Sequence, residues 1–390
     1  MDTATKNFTT VEMPVGYYDF HPVPHMNFQI NRWHSSGGFD KKTAEYAGKN
    51  IETFDDWTRV WKELGQKAES DGELRNAAFC YRAAEFFTDP NHPEKSTLYD
   101  KFIELFYTVH NDDPIETHEI PYKTGALHTL RVVPPHPKGI FVFHGGGDSF
   151  AEEFLPYMIH WYNRGYEVIN FEGPGQGSVI HKHGLGFEWQ WEHCTKTVLD
   201  YFTIEECAFM GISFGGWFCI RAAAHEPRIT KLVSFNALSN VKKSFLMSMP
   251  EQARNVYITL MKNEDKEGFI ALKKKLAAQD SFLQWCDNNT MFAYNADIVY
   301  DGYRNYENYI PKNQDAENIH ADVFLTNCVD DHFVLMEDME LLEKTMVNAK
   351  SIEKRTFTRE EQASHHCAVG NQELAIHEIG EWLDRKFGSQ

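Results

Sequence analysis

The segment Gly211-Ile-Ser-Phe-Gly-Gly216 constrains this chain more than any other. It has the form G-x-S-x-G and falls between an apolar run, Cys207 to Met210, and a helix-prone stretch, Trp217 to His225. A serine on such a strand-to-helix turn sits in a strained backbone conformation, and neighbours bearing a Cβ would crowd it. The turn lifts the hydroxyl out of the sheet. It also points the next N–H, that of Phe214, toward whatever the hydroxyl meets. Taken alone the pattern is also that of an ordinary glycine-rich turn, so the rest of the chain decides between the two.

Short strand-like runs begin near residue 117. His118 to Tyr122 and Leu127 to Val133 flank Lys123-Thr-Gly125 and predict a hairpin. Gly139 to Phe143 predicts a buried strand ending in His144-Gly-Gly-Gly-Asp148, followed by a helix from Ala151 to Arg164. Tyr166 to Phe171 is the next strand, and Glu172-Gly-Pro-Gly-Gln-Gly177 reads as a tight turn. A helix from Trp189 to Phe202 precedes the serine turn. Further strands are predicted at Lys231 to Phe235, Ala321 to Thr326 and Ser351 to Phe357, with helices at Leu335 to Asn348 and Leu374 to Phe387. Strands alternating with helices predict an α/β fold with a mostly parallel, doubly wound sheet.

Two regions break the alternation. Residues 240–318 carry helical runs without a clear strand and read as a helical insertion, a cap between two strands. Residues 41–110 are helical: Trp57, Val60, Trp61 and Leu64 recur at helical spacing, as do Ala77, Ala78, Tyr81, Ala84 and Phe87. Residues 1–40, with Pro14, Pro22, Pro24, Gly37 and Gly38, read as irregular, with Asn27 to Trp33 a packed arm. The expected division is an N-terminal helical domain at 1–115, a core at 116–239 and 319–390, and a cap at 240–318.

In open α/β sheets, reactive groups gather at the carboxyl ends of the strands. Four predicted loops there hold His144–Asp148, Ser213, Asp330–Asp331 and His365–His366. Acyl transfer needs a nucleophile, a base to take its proton and an acid to orient the base. Ser213, then Asp331, then His366 supplies them in the order serine, acid, histidine. Asp331 is preferred to Asp330, which lies one residue nearer the strand, and His366 to His365, because it opens the approach to the last helix. A developing oxyanion would be held by the N–H of Phe214 and by one from the glycine run, Gly147 first and Gly146 next. Asp148 either binds a polar substrate group or caps the helix near Ala151. His181 and His183 lack a third ligand, so no metal is expected, and no cofactor.

Composition narrows the class further. The 390 residues carry a net charge of −19, which argues against nucleic acid and anionic membrane surfaces as partners. No apolar run approaches the ~18 residues of a membrane span, and the first residues lack a leader pattern. Seven widely spaced cysteines suggest neither a disulfide framework nor a zinc site. The expectation is a cytoplasmic protein acting on a small molecule.

With these residues in hand, the chain resembles the serine α/β-hydrolases. More narrowly, it resembles the branch with an N-terminal helical domain, which includes fungal pigment hydrolases that shorten polyketides, the bacterial hydrolase of dihydroxypseudooxynicotine, and related bacterial proteins labelled esterases or acyl-peptidases. The matching stretches are His144 to Ser149 with Glu152-Glu153, Phe171 to Gly177, Gly211 to Gly216, and His366-Cys367 with Gly370-Asn371. The resemblance implies an α/β-hydrolase fold, with Ser213 as nucleophile, Asp331 as acid and His366 as base. It also implies a homodimer and a pocket between core and cap. The family often has Gly where Cys328 stands, Pro where Leu335 stands, and a larger apolar residue where Gly147 stands. The implied reaction is hydrolysis of an ester or of a C–C bond beside a carbonyl. The alternatives are an acyl-peptidase and a non-catalytic ligand-binding protein of this fold.

Overall fold

The computed structural model describes residues 8–388. Two compact units are resolved by their internal contacts. One comprises the chain up to Glu116 together with Val369–Leu374, the other Thr117–Ala368 with the chain from Ala375 onward.

The first unit is helical: α1 (Pro24–Ser35), α2 (Lys41–Asn50), α3 (Phe54–Ser70), α4 (Leu74–Phe87) and α5 (Glu94–Val109). Thr53 starts α3 with a capping box, its side chain and that of Asp56 each accepting from the other's backbone N–H. The aromatic spacing read from the sequence becomes a core of Trp33, Trp57, Trp61, Phe86 and Phe102, each at most 4% exposed. Buried Trp57 is satisfied by donating from Nε1 to the Ala83 carbonyl at 2.6 Å. Helix α1 corrects the irregular reading of residues 1–40. Pro24 stands in its first turn, where the missing N–H has no intrahelical acceptor and the fixed φ suits a helix.

The second unit is built on one sheet. Among the described residues it has eight strands: β1 (Glu116–Tyr122), β2 (Gly125–Val132), β3 (Ile140–His144), β4 (Glu167–Phe171), β5 (Cys207–Ile212), β6 (Ile229–Phe235), β7 (Asp322–Cys328) and β8 (Ser351–Phe357). Their order is β1-β2-β4-β3-β5-β6-β7-β8. β2 meets β4 antiparallel, and every pairing from β4 to β8 is parallel. Strands β4 and β5 are buried along their whole length. Hence β5 reads as a continuous apolar run, while β4 holds Glu167 and Asn170 within it, paired with Arg131 and the Ala151 carbonyl.

Helices flank these strands: α6 (Leu155–Asn163), α7 (Gly177–His183), α8 (Glu192–Tyr201) and α9 (Gly215–His225). The predicted helix at 151–164 is a 3₁₀ turn, Ala151–Phe154, followed by α6 with Pro156 in its first turn. Helix α7 was not read from the sequence; it is short and ends at Gly184, φ +63°. Between β6 and β7 lie α10 (Val241–Met247), α11 (Glu251–Lys262), α12 (Lys266–Ala277), α13 (Ser281–Ala293) and α14 (Val299–Arg304). Tyr257, Phe269, Tyr300 and Tyr303 form an aromatic cluster among them. Then come α15 (Met336–Thr345) and α16 (Gln372–Gly388).

Strand β3 is the point where the winding reverses: the chain next adds β4 on one side of it and β5 on the other. His144 at the end of β3 pairs with Gly211 on β5. The loops that follow these two strands therefore emerge side by side, at the crevice where α/β sheets hold ligands.

Candidate active site

Ser213 follows β5 directly and has φ +61°. A non-glycine residue held there costs on the order of 1–3 kcal/mol, which the surrounding bonds offset. Its N–H donates to the Phe235 carbonyl at 2.6 Å, and its carbonyl accepts from Gly216 at 2.8 Å. A Cβ at Gly211 would lie 1.9 Å from the Gly215 carbonyl, so the motif's first glycine is fixed by close approach. Ser213 remains partly exposed.

Ser213, His366 and Asp331 lie in one line. The Ser213 hydroxyl is 2.7 Å from His366 Nε2, and His366 Nδ1 is 2.7 Å from Asp331 Oδ2. A carboxylate only accepts, so Nδ1 carries the proton and Nε2 accepts from the serine. Asp331 Oδ1 accepts the N–H groups of Phe333 and Val334, at 2.8 and 2.9 Å. Burial alone would raise the Asp331 pKa, but the His366 charge and these donors hold it below the usual carboxylate value. Burial likewise opposes the His366 imidazolium, and the facing carboxylate overrides it, leaving His366 above its ordinary value.

The two neighbours the sequence left as alternatives go elsewhere. Asp330 turns outward and pairs with Arg359 through both carboxylate oxygens. That guanidinium holds its pKa down, at about 2. It is His366, not His365, whose Nδ1 meets Asp331.

The glycine run borders the same point. A Cβ at Gly146 would sit 2.8 Å from the Ser213 Cβ, and one at Gly147 would sit 3.5 Å from the Phe214 ring. The Gly146 N–H is occupied, donating to Ser149 Oγ at 3.0 Å. Among the described residues, the N–H groups of Gly147 and Phe214 have no hydrogen-bond partner. Of the two glycines named from the sequence, Gly147 therefore has the available donor.

Asp148 is exposed and does not cap the following helical turn. The cap is Phe150, whose N–H donates to the Glu153 carboxylate at 2.9 Å. The Ala151 N–H is taken by Glu172 at 2.8 Å, so the first donors at this end are already satisfied.

Sequence reading missed Asn236, the residue after β6. It is fully buried. Nδ2 donates to Asp331 Oδ2 at 2.7 Å, and Oδ1 accepts the Cys367 N–H at 3.1 Å. One amide thus ties the carboxylate to the residue following the imidazole. An asparagine at a strand end has no sequence signature, and only its position at a β6 carboxyl end could have drawn notice.

Aromatic rings pack beside the serine turn. Phe214 lies 4.9 Å from Tyr309 and 5.5 Å from Phe187, and Phe187 lies 5.6 Å from Tyr294. Phe333, 49% exposed, approaches the His366 ring edge-on at 4.9 Å. A hydroxyl, an imidazole and a carboxylate in this order can move a proton off the hydroxyl as it attacks a carbonyl. Two N–H groups beside the hydroxyl can receive the oxygen that becomes negative.

No family model matches the chain. Among proteins of known identity, it is similar to the hydrolase acrC of Aspergillus aculeatus, 25% identical over 386 residues, covering 85% of this chain and 88% of that protein. It is similar to the alpha/beta hydrolase psoB of Aspergillus fumigatus, 26% identical over 302 residues, covering 70% of this chain and 67% of that one. In fold it resembles the crystal structure of the 2,6-dihydroxy-pseudo-oxynicotine hydrolase, with a TM-score of 0.63 and 17% identity, covering 90% of this chain and 94% of that one. Among the described residues, no helix is long and apolar enough to cross a membrane.

Proposed function

This chain belongs to the α/β-hydrolase superfamily and its relatives are hydrolases, and from that premise we propose that it is a serine hydrolase of carbonyl-containing small molecules. The observation that carries the reading is the line Ser213 Oγ, His366 Nε2, His366 Nδ1, Asp331 Oδ2, with 2.7 Å at each of its two bonds. Ser213 Oγ attacks the substrate carbonyl carbon while His366 Nε2 takes its proton. Asp331 orients the imidazole and balances its charge. The carbonyl oxygen becomes an oxyanion held by the Phe214 and Gly147 N–H groups. Collapse breaks the bond to the leaving group, which receives the proton from His366. Water, activated by the same imidazole, then releases the acyl group from Ser213.

The leaving group is an alcohol, as in an ester, or a carbanion stabilised by a neighbouring carbonyl, as in a β-diketone. The Phe214, Phe187, Tyr294 and Tyr309 rings support an apolar or aromatic substrate. Residues 240–318 act as a lid in this reading, because Tyr294 and Tyr309 within them reach the rings beside Ser213.

The test is labelling with a fluorophosphonate, which phosphonylates an activated serine. Wild type should label and Ser213→Ala should not. Equal labelling of the two removes Ser213 as nucleophile. A parallel panel of aryl esters, β-diketones and aminoacyl anilides then separates ester, C–C and peptide hydrolysis.

A further inference from the structure

The segment Glu172–Gly177, after β4, read from sequence as a tight turn with no chemical role. We infer that Gln176 within it is a positioning residue for the oxyanion donors, an inference that rests on Ser213 being the nucleophile. Gln176 is 1% exposed. Its Nε2 donates to the Gly145 carbonyl at 2.9 Å and to the Gly146 carbonyl at 2.7 Å. Its Oε1 accepts the Gly173 N–H at 2.8 Å. Both amide hydrogens and one acceptor site are used. Turning the amide over would set its oxygen against two carbonyl oxygens, so one orientation is fixed.

The consequence follows from peptide geometry. In a trans peptide the C=O and the next N–H point in opposite directions across a rigid plane. Holding the Gly146 carbonyl on Gln176 therefore turns the Gly147 N–H away from Gln176. The loop meets the reactive serine on its other flank, where Gly146 borders Ser213 and Gly147 borders Phe214. The rest of the loop is pinned as well. His144 Nδ1 donates to the Gly145 carbonyl at 2.9 Å, and the Gly146 N–H donates to Ser149 Oγ at 3.0 Å.

Three consecutive glycines have no side chains with which to hold themselves, and glycine peptides rotate at little steric cost. An oxyanion donor is effective only if it is aimed before the charge develops. Gln176 supplies that aim from outside the loop and leaves the donor to meet the substrate. It touches neither substrate nor reacting atoms.

The test uses the full chain and Gln176→Met, which keeps the side chain's length and removes both donors. The readouts are the rate of fluorophosphonate labelling and the kcat and KM for an aryl ester that wild type cleaves. Phosphonylation forms the Ser213 Oγ–P bond, breaks P–F and passes the serine proton to His366, while the phosphoryl oxygen occupies the oxyanion site. Losing one donor typically costs ~10²–10³ in rate. Gln176→Met should therefore label and turn over about 10²-fold more slowly, with KM and the pH at half-maximal rate unchanged.

Labelling and kcat at wild-type levels would overturn the inference, as would a KM rise that accounts for the whole loss. Gln176→Leu also removes both donors and carries the same test, with the same expected split, if Gln176→Met does not fold. If wild type itself fails to label at Ser213, the nucleophile assignment has failed. If wild type labels and both variants label equally fast, only the role of Gln176 has failed.

Discussion

Asn236 donates from Nδ2 to the Asp331 oxygen that also receives His366 Nδ1, so one carboxylate oxygen serves two donors at 2.7 Å each. With the Phe333 and Val334 N–H groups on the other oxygen, the buried Asp331 carboxylate is fully enclosed by donors. Replacing Asn236 by Leu leaves a buried carboxylate one donor short and should cost about 1–3 kcal/mol of stability. Replacing it by Asp places a second carboxylate against Asp331. Like charges at that distance share a proton or raise the imidazole pKa further, and either shifts the acidic limb of kcat/KM upward. Thermal unfolding checks the first variant and a pH–rate profile the second.

The neighbouring aspartates should differ sharply. Asp331→Asn is expected to lower kcat by about 10⁴-fold through loss of the orienting carboxylate. Asp330→Asn weakens a pair with Arg359, whose side chain is 75% exposed, and a hydrogen bond with Ser364. Such surface pairs contribute about 0–1 kcal/mol, so activity should stay within about twofold of wild type. Steady-state kinetics on one substrate distinguishes them, and a dead Asp330→Asn with an active Asp331→Asn reverses the assignment.

The pH dependence of turnover has a definite sign. In the proposed mechanism His366 must be neutral to accept the serine proton, and the Asp331 carboxylate favours its charged form. The imidazolium therefore persists above the ordinary value of about 6.5, and kcat/KM should climb with pH along a limb lying above it. In Asp331→Asn the charged form loses its partner, so the residual activity should show that limb at lower pH. A limb that stays in place would mean that another group sets it.

Acid stability should carry the mark of His144. Burial holds its pKa down at about 3. Between the unfolded value near 6.5 and that figure, the unfolded chain binds a proton the folded one refuses. Stability is present above pH 6.5 and falls as pH drops, by about 1.4 kcal/mol per pH unit for one proton. His144 lies among Phe171, Trp191 and Phe209. His144→Phe should flatten the slope measured by urea unfolding between pH 6.5 and 5.

Much of this was legible in the sequence, and the limits have physical causes. β5, buried along its whole length, announces itself as an apolar run, and Ser213, Asp331 and His366 follow β5, β7 and β8 in the expected order. Gly211 is fixed by a clash inside the motif, at the Gly215 carbonyl, so local sequence carries it, whereas Gly215 and Gly216 are held by the approach of Gly145 and Asn236 from other loops. Asn236 and Gln176 act across distances of about 95 and 30 residues, and an amide side chain is common in any loop. Asp148 looked like a cap because it stands a turn before a helix; Glu153 and Glu172 do that work instead. Helix α1 hid behind two prolines, one of which occupies the position where a helix tolerates it.

The pairing of β6 with β7 has an evolutionary consequence. These strands are in register from Lys231↔Asp322 to Phe235↔Thr326, and Ala237 N–H donates to the Thr326 carbonyl at 2.7 Å. The long excursion through α10–α14 therefore leaves and returns at two points already stitched together. Its contents can drift, lengthen or be exchanged while the register that sets Asn236 and Asp331 stays put. If the insertion sets substrate choice, as proposed, selection can act on it and on bond-breaking as separable traits. A chimera carrying a relative's insertion should keep the fluorophosphonate reactivity of Ser213 while its preference among aryl esters moves to that of the donor.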